Sequence, residues 1–472
     1  MSKETTKAFF DRVEESLADP HKRKTMARVQ DGFKIKKQIV FDELGNLDDW
    51  KHEAAEIKQH TIEWLDTYLA EFADKIEGLG GHVYFAQTAE EATNYVVNLA
   101  REKQVKTVVK SKSMVTEEIG LNEALEQAGV EPIETDLGEY IVQVAHEKPY
   151  HIVVPAIHKT RQDIADLFSS LSGKHFEPDT HELAEYARQT MRPHFFEAEM
   201  GISGCNFGVA ETGTVVLVTN EGNARLTTTF PKTHVVVMGM ERLVPRMRDL
   251  DAMLELLPRH ATGQRTISYI TAITGPRRPG EVDGPEDLHV VIVDNGRSNL
   301  LESEYDEALR CIRCGNCYNV CPVNRNIGGH AYGGTYAGPI GSILMPMLTD
   351  LDSWKELPSA CTLCGACTEA CPVEIPLHHY LLKLRRDIVD ETGSSFAERS
   401  VFKFYGKVAG NPKLYDKSVK MAGKVARTVL GKKTTRIKKA PSAMGKWTES
   451  RDLPMPAEQS FREWWEKEGS KQ

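Results

Sequence analysis

The sequence predicts an α/β domain with a mostly parallel sheet, then a cysteine-rich helical module, then a basic helical tail. Three observations predict it. Strand-like and helix-like runs alternate over residues 82–170 at a spacing of about 25 residues. Eight of the nine cysteines crowd into residues 311–371. Residues 401–447 carry 13 Lys and Arg against one acid, Asp416, which leaves −21 on the remainder of a chain whose total is −9. With 40% apolar and 27% charged residues, 472 residues suffice for several globular domains.

Taken in order, residues 1–46 read as polar helices. Residues 47–77 read as one long amphipathic helix, with Trp50, Ala54, Ile57, Thr61, Trp64, Leu65, Tyr68, Phe72 and Ile76 recurring every three or four positions. The GLGG at 78–81 ends it. Strands are predicted at 82–86, 106–111, 131–135 and 151–156, with helices at 88–103, 115–128, 137–146 and 159–170. This strand–helix rhythm is that of right-handed βαβ units. Four later β-branched runs, 214–220, 234–240, 265–273 and 288–294, are expected to complete the same sheet. Residues 275–287 have the Gly/Pro composition of an exposed loop. The segments are therefore an N-terminal helical part (1–46), an α/β domain (47–296), a cysteine module (297–390) and a basic helical region (391–472).

One internal repeat stands out. CIRCGNCYNVCP (311–322) and CTLCGACTEACP (361–372) both read C-x2-C-x2-C-x3-C-P, the spacing of bacterial ferredoxins that hold [4Fe–4S] clusters. Three thiolates on one tight turn each reach a different iron. Gly315 and Gly365 let backbone approach the cluster sulfur. The fourth Cys, followed by Pro, points away and serves the other cluster. One cluster is thus expected on Cys311, Cys314, Cys317 and Cys371, and the second on Cys361, Cys364, Cys367 and Cys321. The competing reading is two structural zinc sites, but paired C-x2-C knuckles leave no role for the third and fourth Cys. About 40 residues separate the motifs, and they contain helical text (343–354), which favours a helical ferredoxin over the small β-hairpin form.

Other signatures are missing. No G-x-G-x-x-G stands between a strand and a helix, so no Rossmann-type nicotinamide or flavin site is supported. SGKH (172–175) lacks the upstream Gly of a P-loop, and GISGC (201–205) is not a nucleophile elbow. The negative balance argues against nucleic-acid binding. No run approaches membrane-span length, and the first 20 residues lack the apolar core of a signal peptide. A cytoplasmic location is therefore expected, with the basic tail open to a membrane surface, an acidic partner or the acidic remainder of the chain.

Weaker patterns have two readings each. Glu211, Thr212, Gly213 and Thr214, with Arg225 as a clamp, read as an anion cradle or as tight turns between strands. Lys110, Ser111, Lys112 and Ser113 end a parallel strand, where α/β sheets hold ligands, or form a solvated loop. Cys205 reads as a small buried hydrophobe. The Gly- and aromatic-rich run around His330 reads either as a surface for an electron partner or as packing around the clusters, and His378 and His379 as plain helix residues.

The order of these strings is specific. VVKSKSM (108–114) and GCNFGVAETGTVV (204–216) precede the two ferredoxin motifs, which IGGHAYGGTYAGPIG (327–341) separates, and a basic tail follows. This resembles the bacterial lactate utilization protein B family over roughly residues 20–465. The resemblance implies an iron–sulfur subunit of an L-lactate oxidising system that does not use NAD. It implies two partners, a cysteine-rich iron–sulfur subunit and a small α/β subunit, and an α/β domain of the NagB/RpiA/CoA-transferase-like (sugar-isomerase) type. All eight cluster cysteines have counterparts here. The family supplies no catalytic residue set for the α/β domain. Lactate is then oxidised on a partner or near Lys110, Lys112, Glu211 and Arg225. The rival function is a small-acid or nucleotide binding module whose clusters wire a different dehydrogenase.

Overall fold

The computed structural model describes residues 2–393, 396–430, 435–440, 445–449, 451–455, 457 and 459–469. Parts of the predicted basic segment, 431–434 and 441–444, lie outside the described residues. Residues 1–391 form one compact unit and 392–472 a second.

Ten strands shape the first unit: β1 (His82–Ala86), β2 (Thr107–Lys110), β3 (Glu131–Glu134), β4 (Met200–Ser203), β5 (Phe207–Val209), β6 (Thr214–Thr219), β7 (Thr233–Gly239), β8 (Leu243–Val244), β9 (Tyr269–Ile273) and β10 (Asp287–Val293). Six of them make an all-parallel sheet in the order β1-β10-β7-β4-β2-β3. Successive side chains of a strand point to opposite faces, and a parallel sheet buries both. Val235, Val237, Val291 and Val293 accordingly pack on one side with Val96 and Leu121. Val236, Met238, Val290 and Ile292 pack on the other with Phe72 and Ile76.

Three sequence expectations need correction. First, 151–156 forms no strand. His151 Nδ1 accepts the backbone N–H groups of Val153 (3.1 Å) and Val154, a local turn that competes with a ladder. The place beside β2 belongs to β4, a four-residue run too short to stand out in the text. Second, only 234–240 and 288–294 join the main sheet. The runs at 214–220 and 265–273 supply β6 and β9 of a second, four-stranded sheet ordered β8-β5-β6-β9. Third, the helix at 47–77 breaks into Leu47–Glu63 and Leu65–Gly78, with Trp64 at φ −118°. The first half packs on helix Leu250–Thr262 and the turn before Cys311, the second on β1. One straight rod of ~45 Å cannot follow both surfaces. A further helix, Thr180–Glu197, was not predicted.

The cysteine module is helical, as expected, and its core runs on into the second sheet and into Leu250, Met253 and Leu256. The N-terminal helices Ser2–Ala18 and Pro20–Leu44 lie over it. Gln30 Nε2 donates to the carbonyl oxygens of Tyr318 (2.9 Å) and Cys321. Lys37 Nζ donates to Asn316 Oδ1 at 2.7 Å. In the second unit, helices Phe396–Ala409 and Pro412–Leu430 meet at a break around Gly410 and Asn411. Lys420 binds Asp416 and Glu463 at 2.7 and 2.6 Å. Among the described residues no helix is long and apolar enough to cross a membrane.

A buried ion cluster joins the main sheet to the first cysteine motif. Arg297, with no exposed surface, donates to Glu118 (2.8 Å) and to Glu241 Oε2 (2.7 Å). Arg313 Nη2 reaches Glu241 Oε1 at 3.3 Å. Burial alone would raise the Glu241 carboxyl, but Arg297, Arg313 and Arg242 hold it down at about 2. Arg297→Met removes the cation paired with buried Glu118 and the nearest of those around Glu241, and is expected to cost about 3–5 kcal/mol, read as a shift in urea unfolding. A folded carboxyl held below its ordinary value stabilises fully above about pH 4.5 and loses that contribution as pH falls toward 2. The wild-type advantage over Arg297→Met should therefore shrink below pH 4.5. A loss under about 1 kcal/mol at neutral pH would refute this account.

Candidate metal centre

The two cysteine motifs repeat one backbone. Two residues after the first Cys of each, a non-glycine residue is left-handed: Arg313 (φ 59°) and Leu363 (φ 56°). Two further on come Gly315 (φ 70°) and Gly365 (φ 82°), where a left-handed turn suits glycine. Short helices, Asn316–Val320 and Ala366–Glu369, then lead to the fourth Cys and pack on each other. The curled chain turns N–H groups toward sulfur. Arg313 N donates to Cys311 Sγ at 3.4 Å, Leu363 N to Cys361 Sγ at 3.3 Å, and Asn324 N to Cys321 Sγ at 3.5 Å. All nine cysteines are free thiols.

The motifs are interleaved. A small cavity walled by Tyr318, Ile340, Val373 and Leu377 is lined by Cys311, Cys314, Cys317 and, from the second motif, Cys371. Burial pushes the Cys314 thiol up to about 12, and Cys311 and Cys371 add to the rise. Burial likewise takes Cys371 up to about 11, with Cys311 contributing. Cys367 is pushed up to about 12 by burial and then by Cys361, Cys321 and Cys364. Cys321, from the first motif, is therefore a close neighbour of the second motif's thiols. Cys367, from the other set, also adds to the rise of the buried Cys317 thiol. Among the described residues no three His, Cys, Asp or Glu converge tightly enough for a single ion. A cube spreads its thiolates over four irons, and four thiols around one cavity with inward N–H groups fit that group.

The two sets differ in surroundings. Cys314, Cys317 and Cys371 are buried and Cys311 is half-buried, whereas in the other set only Cys367 is buried, Cys361 and Cys321 are half-buried and Cys364 is exposed. Buried cations crowd the inner set. Burial pushes the Lys37 ammonium down to about 8, and Cys314 and Cys317 pull it back up. Lys58, fixed by the carbonyl oxygens of Glu241 (2.5 Å) and Leu243 (3.1 Å), is pushed down to about 7 by burial. Arg242 Nη1 donates to Cys311 O at 3.4 Å. Sequence reasoning did not single out Lys37, Lys58 or Arg242, which lie far from the motifs in the chain. Arg313 offered a signal, being the charged residue inside a C-x2-C step.

Of the four substrate candidates, only Lys112 opens on the cleft at the carboxyl end of the main sheet. Lys110 is buried in ion pairs with Glu134 (2.6 Å) and Glu117 (3.0 Å). Burial would lower its ammonium, but those carboxylates outweigh it and hold it above its ordinary value. Glu211 sits at the β5–β6 turn, accepting Met247 N at 3.0 Å, beside a hydroxyl chain of Thr212, Thr214 and Thr274. Arg225 lies over the Tyr269 ring at 5.4 Å. The structure does not bring these four together. Burial pushes the half-buried Cys205 up to about 12, a poor nucleophile. In the run 327–341, Tyr336 donates to Glu118 (2.6 Å), and Gly338 and Gly341 lie against Tyr318 and Tyr336. His378 Nδ1 pairs with the Thr368 hydroxyl at 2.7 Å.

The cleft itself is a cavity of about 370 Å³. Ser111, Lys112, Asn206 and Glu221 line it, together with Arg242, which follows β7, and Arg313 and Cys314 from the first cysteine motif.

A doubly covered parallel sheet joined to two interleaved ferredoxin motifs defines an α/β protein with a dicluster iron–sulfur module. The family described as LUD domain matches residues 69–293, 4Fe-4S dicluster domain matches 307–375, and Lactate utilisation protein B, C-terminal matches 385–470. Proteins named Lactate utilization protein B are similar along nearly their whole length. That of Bacillus licheniformis is 49% identical over 98% of this chain and 97% of its own. That of Anoxybacillus flavithermus is 49% identical over 98% of each. That of a Geobacillus species is 50% identical over 97% of this chain and 96% of its own. The chain belongs to the lactate utilization protein B family. A solved DUF162 family protein from Deinococcus radiodurans covers 48% of this chain and 98% of its own at 14% identity and a TM-score of 0.28, a likeness too slight to carry weight.

The left-handed Leu363 tests the centre's geometry. Leu363→Gly should keep iron bound, because glycine takes this φ freely. Leu363→Val, β-branched, should lower the iron content of purified protein. Equal iron in both would mean that the curl at this residue does not matter.

Proposed function

We propose that this chain is the iron–sulfur electron-transfer subunit of an NAD-independent L-lactate oxidising complex that supports growth on lactate. The observation that carries the reading is the interleaving of the two motifs, with Cys371 lining the cavity of Cys311, Cys314 and Cys317. On this reading one [4Fe–4S] cluster rests on those four residues. The other rests on Cys361, Cys364, Cys367 and Cys321. L-Lactate becomes pyruvate by losing two electrons and two protons, and each cluster supplies one-electron storage when bound.

The chain's own residues then divide the work. Buried Lys37 and Arg242 and the Arg313 side chain bring positive charge to the inner set, which favours the reduced, more negative state there. The outer set, with Cys364 exposed, is the side from which electrons enter or leave. A cysteine-rich iron–sulfur subunit and a small α/β subunit are the partners of this reading. The NagB/RpiA/CoA-transferase-like character of the α/β part and a cytoplasmic location belong to it as well. The basic tail, with Phe402, Tyr405 and Met421 exposed, offers a peripheral contact at the inner membrane face.

Anaerobically purified protein should carry about eight irons and eight acid-labile sulfides. Cys371→Ala should halve the iron and remove the cluster of the first motif, leaving that of 361–367. Loss of the 361–367 signal in electron paramagnetic resonance would instead mean that each motif serves its own cluster. L-Lactate should reduce the clusters once the two partner subunits are added. Clusters that stay oxidised in that mixture would end the reading.

A further inference from the structure

β2 and β4 lie side by side, yet the chain leaves them in opposite directions. The next strand of the sheet after β2 is β3, toward the edge, and after β4 it is β7, toward the centre. Connections that part at adjacent strands leave a crevice at the carboxyl edge, the place where open α/β sheets hold ligands. Residues 111–113 and 204–206, which follow these two strands, line the cleft described above. Its 370 Å³ lies within the range of small-molecule sites.

Two of the lining arginines carry unspent hydrogen-bonding capacity. Arg242 is 7% exposed and the Arg313 side chain likewise 7%. Arg242 Nε and Arg313 Nε and Nη1 have no hydrogen-bond partner among the described residues, although Arg242 Nε stands 3.7 Å from Glu241 Oε1. Buried guanidinium nitrogens without partners are costly, and a carboxylate is the acceptor that matches their planar fork. Lys112, which follows β2, adds a third cation, 3.7 Å from Glu139. Asp136 and Glu221 face the same space and oppose a second negative charge on a ligand, while they accept a hydroxyl hydrogen.

We propose that this cleft binds a short 2-hydroxy or 2-oxo monocarboxylate, its carboxylate turned to Arg242 and Arg313 beside Cys314. The choice of a lactate-sized acid rests on the function proposed above; the cationic lining and the switch-point position do not. The ligand would lie against the inner set of thiols.

The full chain, loaded anaerobically and checked for iron and sulfide, should be titrated with oxamate, a redox-inert 2-oxo monocarboxylate. Calorimetry should give saturable binding of one equivalent, and the resonance of the dithionite-reduced protein should shift on saturation. Arg242→Gln and, separately, Lys112→Gln should weaken binding at least about tenfold at unchanged iron content. If Arg242→Gln loses iron, Lys112→Gln decides, since Arg242 donates to Cys311 whereas Lys112 pairs with Glu139. Oxamate binding together with clusters that lactate and partners fail to reduce would sink the electron-carrier reading and leave the site standing. Fully loaded wild-type protein that takes up no oxamate, or a Lys112→Gln protein that binds it as tightly as wild type, would overturn the site.

Discussion

Sulfur cannot be held as thiolate in an apolar interior unless something positive neutralises it. In this protein four of the eight cluster-motif cysteines, Cys314, Cys317, Cys367 and Cys371, are buried, and burial together with neighbouring thiols makes them resist ionisation. A bound metal reverses that balance, because its ligands must be deprotonated. Much of the surrounding architecture meets the same constraint. Curled turns aim backbone N–H groups at Cys311, Cys361 and Cys321. Helix Pro20–Leu44 brings Gln30 onto the motif backbone and Lys37 onto the Asn316 side chain from nearly 300 residues away. Folding of the N-terminal helices and assembly of the centre are thereby linked.

Glu241 extends the constraint into the α/β part. It follows β7 in a short turn of its own, and it gathers Arg297, Arg313 and Arg242. One of those arginines sits inside the first cysteine motif, and another binds Glu118 beside the main sheet. The ion cluster thereby ties the sheet's carboxyl edge to the first cysteine motif. The main sheet and the cysteine module lie in one compact unit, and the module shares its core with the second sheet.

The sequence made some of this legible and hid the rest for physical reasons. The cysteine repeat was plain because ligand spacing is a local property. The strands β7 and β10 were plain because burial on both faces leaves continuous β-branched runs, such as Val235 to Val237. β4 was missed because MGIS is short and not β-branched throughout, while HIVVPA resembles a strand but spends its N–H groups on His151. Which sheet β6 and β9 enter depends on antiparallel pairing over 50 residues of chain, which composition does not encode. Of the predicted substrate residues, Lys112 reaches the cleft. Lys110, one pleat away on the same strand end, turns inward to Glu134. Arg242 gave no warning, since its meaning arises only where β7 ends against Cys311.

The unequal cover of the two thiol sets has a chemical consequence. Exposed cysteine sulfur is what dioxygen and peroxide attack first, through sulfenic and higher acids. Cys364 is open to solvent, whereas Cys317 and Cys371 are buried in the cavity with Tyr318 and Ile340. Air would then corrode the molecule from one side. A half-stripped species would keep its colour from the sheltered metal while its outlet was gone, so tint alone would overstate how much of a preparation is fit for service.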